Sequence, residues 1–187
     1  MKISSKLKAL VLAGSVLAAP AAWSIPMSTV GGLDTFITSA DLGNSGDAAE
    51  ESWVEAMLSL YTGSAVDVTL DDKYDSDGTD WTLVDGETDV FAASLTTNPL
   101  YFMVKLGTGG TTIDSHYLFE NVGDLSYAVV DFSEAGVDFT VRNINIGRVS
   151  HVSEFESTVT VPEPATLMLL ALGLIGLGIQ RKRSNQQ

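Results

Sequence analysis

The sequence predicts a mainly β protein, an antiparallel β-sandwich of jelly-roll or immunoglobulin-like type with one short helix, set between an N-terminal signal peptide and a C-terminal transmembrane helix. Three observations carry this prediction. Short β-branched and aromatic runs recur through the middle of the 187-residue chain with Gly, Asn and Asp between them. A single segment there has helical spacing. Each end carries an apolar run next to a cluster of cations.

At the N-terminus, Lys2, Lys6 and Lys8 precede an apolar stretch from Ala9 to Ala22, the pattern of a secretory signal peptide. Ala22 and Ser24 flank Trp23 and place cleavage before Ile25, with Ala19-Pro20-Ala21 as a competing small-residue site. The expected division is a signal peptide over 1–24, one secreted acidic domain over 25–160 and a C-terminal signal over 161–187. About 136 residues are enough for one modest core.

Within the body, Asp47-Ala48-Ala49-Glu50 has the form of a capping box. Glu51, Trp53, Val54, Met57, Leu58 and Tyr61 follow at helical spacing, and Gly63 stops the run. This predicts one helix of about fourteen residues on the sandwich. The expected strands are Val66–Leu70, Trp81–Val84, Asp89–Ala92, Leu100–Leu106, His116–Phe119, Ser126–Phe132, Val137–Val141, Ile144–Val152 and Ser157–Thr160.

Charge excludes some function classes. Residues 25–160 hold 23 acids against Lys73, Lys105, Arg142 and Arg148, a net −19 in a chain whose total is −14. Phosphate binding needs clustered cations, so nucleic acid is not an expected partner. The chain has no cysteine, which removes disulfides, thiol nucleophiles and thiolate metal sites. The exported domain must be held by its core, or by its core and a bound cation.

The tail begins at Val161-Pro162-Glu163-Pro164. The prolines lack amide donors and disfavour helix in the residue before them, so the chain is expected to be extended up to Ala165. Fifteen uncharged residues, Ala165 to Ile179, then give roughly 22 Å of helix, short of a hydrocarbon core of about 30 Å. Arg181, Lys182 and Arg183 form a basic stop that stays cytoplasmic.

Pro-Glu-Pro, an apolar helix and a basic cluster, in that order at the C-terminal end, resemble the PEP-CTERM sorting signal of bacterial surface and exopolysaccharide-associated proteins. The same tail also goes by the label "ice-binding protein C-terminal", which implies no ice binding by the body. The resemblance implies a Gram-negative envelope protein, exported, held transiently in the inner membrane and recognised near Pro162, Glu163 and Pro164 by an exosortase-type membrane protease. The mature body is then expected at the cell surface or outside the cell, in a structural or adhesive role in exopolysaccharide matrix or biofilm. A secreted polysaccharide-acting hydrolase and a Ca²⁺-dependent carbohydrate-binding module are the alternatives. Asn44 to Val54 and Gly147 to Val152 also look like segments of bodies found ahead of such tails, a looser likeness that brings no activity with it.

For chemistry in the body, Leu70 to Asp80 is an acidic loop in which Asp75, Asp77 and Asp80 surround Gly78, whose freedom would allow a sharp turn. Their hard oxygens make these three the candidate Ca²⁺ ligands. An EF-hand register puts Lys73 at the first ligand position and Val84 at the bidentate Glu position, which excludes a true EF-hand. An exposed polar loop between strands is the plainer alternative. Tyr74 and Trp81, beside this loop, are the expected exposed platforms for sugar stacking, whereas Trp53 and Tyr127 are expected in the core. No catalytic residue is assigned. Asp114-Ser115-His116 puts triad residue types side by side, but neighbours on a strand face opposite sides. His116 and His151 are read as ordinary strand residues, and no cofactor is expected beyond the candidate Ca²⁺.

Overall fold

The computed structural model describes residues 24–108, 113–139 and 145–159. The predicted signal peptide up to Trp23 and the predicted transmembrane helix lie outside them. Among the described residues no helix is long and apolar enough to cross a membrane.

The body is mainly β, as predicted, and built as two sheets of antiparallel strands. In chain order its elements are β1 (Ser24–Ile25), α1 (Met27–Val30), β2 (Thr35–Ala40), α2 (Asp47–Thr62), β3 (Val66–Asp75), β4 (Thr82–Val84), β5 (Val90–Ser94), β6 (Tyr101–Leu106), β7 (His116–Glu120), β8 (Tyr127–Asp131), a 3₁₀ turn at Ile146–Arg148 and β9 (Val149–Val159). One sheet runs β1-β4-β5-β8 and the other β2-β7-β6-β9-β3. The two-residue pairing of β1 with β4 is parallel.

Three apolar layers follow from alternation along the strands. Phe102 and Val104 of β6, Tyr117 and Phe119 of β7 and Val152 of β9 meet Ala93, Ala128 and Val130 of the smaller sheet. Phe102 and Phe119 stack with centroids 5.3 Å apart. The alternate residues Met103, Leu118 and Phe155 face α2, where they pack with Val54 and Leu58. The larger sheet is therefore covered on both sides, and β6 and β7 are almost continuously buried. On the outer side of the smaller sheet, Val84, Val90, Ala92 and Val129 are covered by Val30, Ile25 and Met27.

Several expected boundaries change. The helix forms where predicted, over 16 residues, and Gly63 ends it in the left-handed region at φ 68. The capping box does not form. Gly46 is the N-cap and carries no side-chain cap, while Asn44 Oδ1 takes the Gly46 amide at 2.9 Å in a turn just before the helix. β3 runs on to Asp75, so half of the supposed acidic loop is strand. A bulge between Leu70 and Asp72 lets this long edge strand stay paired with β9, and Glu51 Oε1 accepts the Leu70 amide there at 2.9 Å. The two strands expected at Ile144–Val152 and Ser157–Thr160 are one, β9, preceded by the 3₁₀ turn. In place of a strand at Val137, a turn returns the Val137 amide to Phe132 O at 2.8 Å. Val137 is buried in the core, so its apolar character reflects packing without pairing.

Asp34 ties the sheets together. It is 6% exposed, and its carboxylate accepts the Val129 amide of β8 at 2.6 Å and the Val122 amide beyond β7 at 3.0 Å. Burial pushes its carboxyl up to about 6 against an ordinary 3.8, and the two amides pull it back only in part. Because the folded value lies above the unfolded one, the folded state takes up a proton between them, and the contribution of Asp34 to stability is greatest below pH 3.8 and falls as pH rises to about 6. We expect this carboxyl to titrate near pH 6 by NMR. Compared by urea unfolding across that window, wild type should lose up to roughly 3 kcal/mol relative to the Asp34→Asn variant, because Glu50 acts in the opposite direction in both.

Candidate functional site

The buried face of α2 repeats at Glu50, Val54 and Leu58, one side chain per turn. Glu50 therefore takes a core position in the apolar stripe and is fully buried. A carboxylate there needs partners, because burying an unpaired charge is costly. The larger sheet supplies them. His151 Nε2 lies 2.9 Å from Glu50 Oε1, and Ser153 Oγ donates to Oε2 at 2.9 Å. Both belong to β9 and alternate with Val152, so they share the face that meets α2. Lys73 of β3, register partner of Ser153, puts Nζ 2.9 Å from Oε2 and also donates to Ser45 O at 2.7 Å and Asp47 Oδ1 at 3.1 Å.

His116, at the start of β7, completes the cluster. Its Nε2 is 3.5 Å from Glu50 Oε1, too long for a good hydrogen bond, and has no hydrogen-bond partner although the residue is fully buried. Its Nδ1 lies 2.7 Å from Ser115 Oγ, which donates to Asp41 Oδ1 at 2.7 Å. The two imidazoles stand nearly edge to face, with centroids 6.4 Å apart. Burial alone would raise the Glu50 carboxyl, but the ring of His116, His151, Lys73 and Ser153 outweighs it and holds the group well below the usual carboxylate range. The result is an ionised carboxylate in the protein interior that joins α2 to β3, β7 and β9. Glu50, His116 and His151 each bring one ligand-type atom to within 4.8 Å of the others, the one such grouping of three among the described residues.

The residues singled out in the sequence lie elsewhere. Asp75 is the exposed last residue of β3. Asp77 Oδ1 accepts both the amide and the hydroxyl of Thr79, at 2.7 and 2.6 Å, and Asp80 Oδ2 accepts the Asp77 amide at 2.9 Å. Both carboxylates thus close their own turn. Gly78 serves a close approach: a Cβ there would stand 2.8 Å from Gly147 Cα, which brings the turn against the segment leading into β9. Trp81, expected to be exposed, is buried. It is 5% exposed, donates Nε1 to Ser76 Oγ at 3.1 Å and sits edge-on to Phe132. An indole beside an acidic turn reaches the core here because the turn folds back over it. Tyr74 is half-buried with its hydroxyl on Glu154 Oε1 at 2.9 Å, so its ring does not lie open beside the loop. Trp53 and Tyr127 are partly buried against the core, in keeping with their expected packing role.

Pro162, Glu163, Pro164, Arg181, Lys182 and Arg183 fall outside the described residues. Their assignment rests on sequence, and there the comparison is positive. The PEP-CTERM protein-sorting motif matches residues 160–183. The match covers the tail alone, and it supports a PEP-CTERM sorting signal at the end of a mainly β body. The motif suggests exosortase-dependent export and implies targeting to the cell surface. No curated protein and no solved structure matches the chain.

Two outcomes check the cluster and the turn. Glu50→Ala strands His151 and Ser153 without their acceptor and takes from Lys73 one of its three, and should lower the urea unfolding free energy by about 3–5 kcal/mol. In a double-mutant cycle, Glu50→Ala and Lys73→Ala should fall short of additivity by roughly 0.5–3 kcal/mol. Gly78→Ala forces the turn off Gly147 and should cost about 1–3 kcal/mol in the same assay, although no charge changes.

Proposed function

We propose that this chain is an exported envelope protein whose tail is cut by an exosortase-type membrane protease in the Pro162-Glu163-Pro164 region. The freed body then acts at the cell surface or beyond it as a structural or adhesive component of an exopolysaccharide matrix. The sorting motif over residues 160–183 is the observation that carries this reading. Residues 1–24 serve as the signal peptide, and residues 161–187 hold the chain in the inner membrane until it is processed. Chemistry supports the order of events. Two prolines that disfavour helix would leave a protease accessible backbone, a short apolar run would anchor weakly, and three cations would keep the end of the chain cytoplasmic. The net −19 of residues 25–160 suits a domain that must stay soluble after release.

The test compares wild type with a variant carrying Ala at Pro162, Glu163 and Pro164, both produced in the native host. Cells are fractionated and intact masses locate each C-terminus. Wild type should lose its tail and appear outside the inner membrane, while the variant stays full-length and membrane-bound. If both keep the tail and stay in the membrane, the segment is a plain anchor and the matrix role falls with it.

A further inference from the structure

We propose that Glu50, His116 and His151 form a binding site for one divalent transition-metal ion of the zinc class. The inference is independent of the sorting tail and rests on the interior of the body. Its first support is convergence: one carboxylate and two imidazoles, from α2, β7 and β9, present atoms within 4.8 Å of one another. In a tetrahedral zinc site with bonds of about 2.0–2.1 Å, ligand atoms stand roughly 3.3–3.5 Å apart. The 3.5 Å between His116 Nε2 and Glu50 Oε1 fits that spacing, and the 2.9 Å between His151 Nε2 and the same oxygen has only to widen by a few tenths of an ångström.

The second support is the orphaned atom. Ser115 Oγ gives its proton to Asp41 and therefore takes one from His116 Nδ1. In the neutral ring this leaves a lone pair on Nε2, buried, without a hydrogen-bond partner and aimed at the ionised Glu50. Two acceptors facing each other in the interior are tolerated only with a positive charge between them, either a proton on the ring, the form in which His116 helps to hold Glu50 ionised, or a metal ion. The chain Asp41–Ser115–His116 is also the outer support by which a protein fixes the tautomer of a metal-binding imidazole.

The neighbouring charges leave room for the ion. Lys73 and Ser153 engage Oε2 of Glu50, which leaves Oε1 toward the histidines. Lys105 of β6 pairs with both His116 and His151 in the ladder, and Asp75 pairs with His151 at the sheet edge, so each shares that face by register. Asp47, 70% exposed, balances Lys73. Two nitrogens and one oxygen select zinc, nickel, cobalt or copper over Ca²⁺ and Mg²⁺, which prefer all-oxygen ligands. Three protein ligands leave a fourth position for water, and the ion would lock three elements distant in sequence in a domain that has no disulfide.

The experiment uses the chain as its host accumulates it, stripped with chelator and then titrated with Zn²⁺, with Ca²⁺ as control. Native mass spectrometry should find about one Zn²⁺ per chain, Tm should rise by roughly 5–10 °C at saturation, and Ca²⁺ should do neither. His116→Gln and His151→Gln should lose the ion while keeping the far-UV spectrum of wild type. Ser115→Ala, which touches only the outer support, should weaken Zn²⁺ binding roughly 10- to 100-fold. Because a histidine variant can fail by misfolding, long-range ¹H–¹⁵N spectra of the wild-type imidazoles give a separate readout: on adding Zn²⁺, the Nε2 signals of both rings should move to the range of a metal-bound nitrogen. Unmoved Nε2 signals, or Zn²⁺ stoichiometry and Tm equal in wild type and both histidine variants, would overturn the site and leave a buried ion-pair cluster.

Discussion

The burial of Glu50 is the constraint from which the arrangement of the body follows. A helix of 16 residues, with its polar start at Gly46 and Asp47, lies on the larger sheet because Val54 and Leu58 bury apolar area there. The same stripe carries Glu50 inward one turn earlier. Its carboxylate can stay in the interior only where donors already stand, and this fixes how α2 sits over β3, β7 and β9. Lys73 cannot move without losing Ser45, Asp47 and Glu50 together. His151 and Ser153 cannot change face without a shift of the whole of β9.

Glu50 has counterparts that divide the remaining work. Glu154 of β9 is fully buried on the opposite face, where it accepts the Thr96 and Thr97 amides at 2.8 Å each, the Thr97 hydroxyl at 2.6 Å and the Tyr74 hydroxyl at 2.9 Å. Asp34 does the same for the amides of Val122 and Val129. A chain with 24 acids and no cysteine thus fastens loops and sheets with buried carboxylates on amide and hydroxyl donors, each such bond contributing more than a neutral one. Only Glu50 also takes a cation and two imidazoles, and that separates it chemically from the purely structural pair.

What could be read from the sequence follows the range of the forces involved. The strand class, the helix and its stop at Gly63, and the sorting tail are local patterns, and all three were legible. β2 was missed because Thr35-Phe36-Ile37-Thr38-Ser39-Ala40 alternates only weakly, and its register with β7 slips between Phe36 and Thr38. Trp81 was misplaced because its burial comes from a turn that folds back on the core, which is not a sequence-local property. The cluster itself joins residues 101 positions apart. Glu50 was read as a capping residue, which fits its offset from Asp47 and conflicts only with the inward direction of its side chain. The segments Asn44 to Val54 and Gly147 to Val152, which resemble bodies ahead of such tails, contain Glu50 and His151, and the fold brings those two residues into contact.

A buried ion-pair network usually contributes less to stability than apolar residues of the same volume would, so stability alone does not account for Glu50, Lys73, His116 and His151 in this core. Register does account for part of it. β9 carries His151 and Ser153 toward the helix and Val152 and Glu154 toward the sandwich interior. A slip of one residue would set Glu154 opposite Glu50, two carboxylates in one dry space, and would push His151 into the apolar layer between the sheets. An all-apolar β9 would carry no such penalty and could pair in either register. Yet register needs only Glu50 against His151, Ser153 and Lys73. It asks nothing of His116, whose ring is oriented by Ser115 and Asp41 and whose inner nitrogen meets no donor. The one member of the cluster that register leaves unexplained is the one whose free lone pair a bound cation would satisfy.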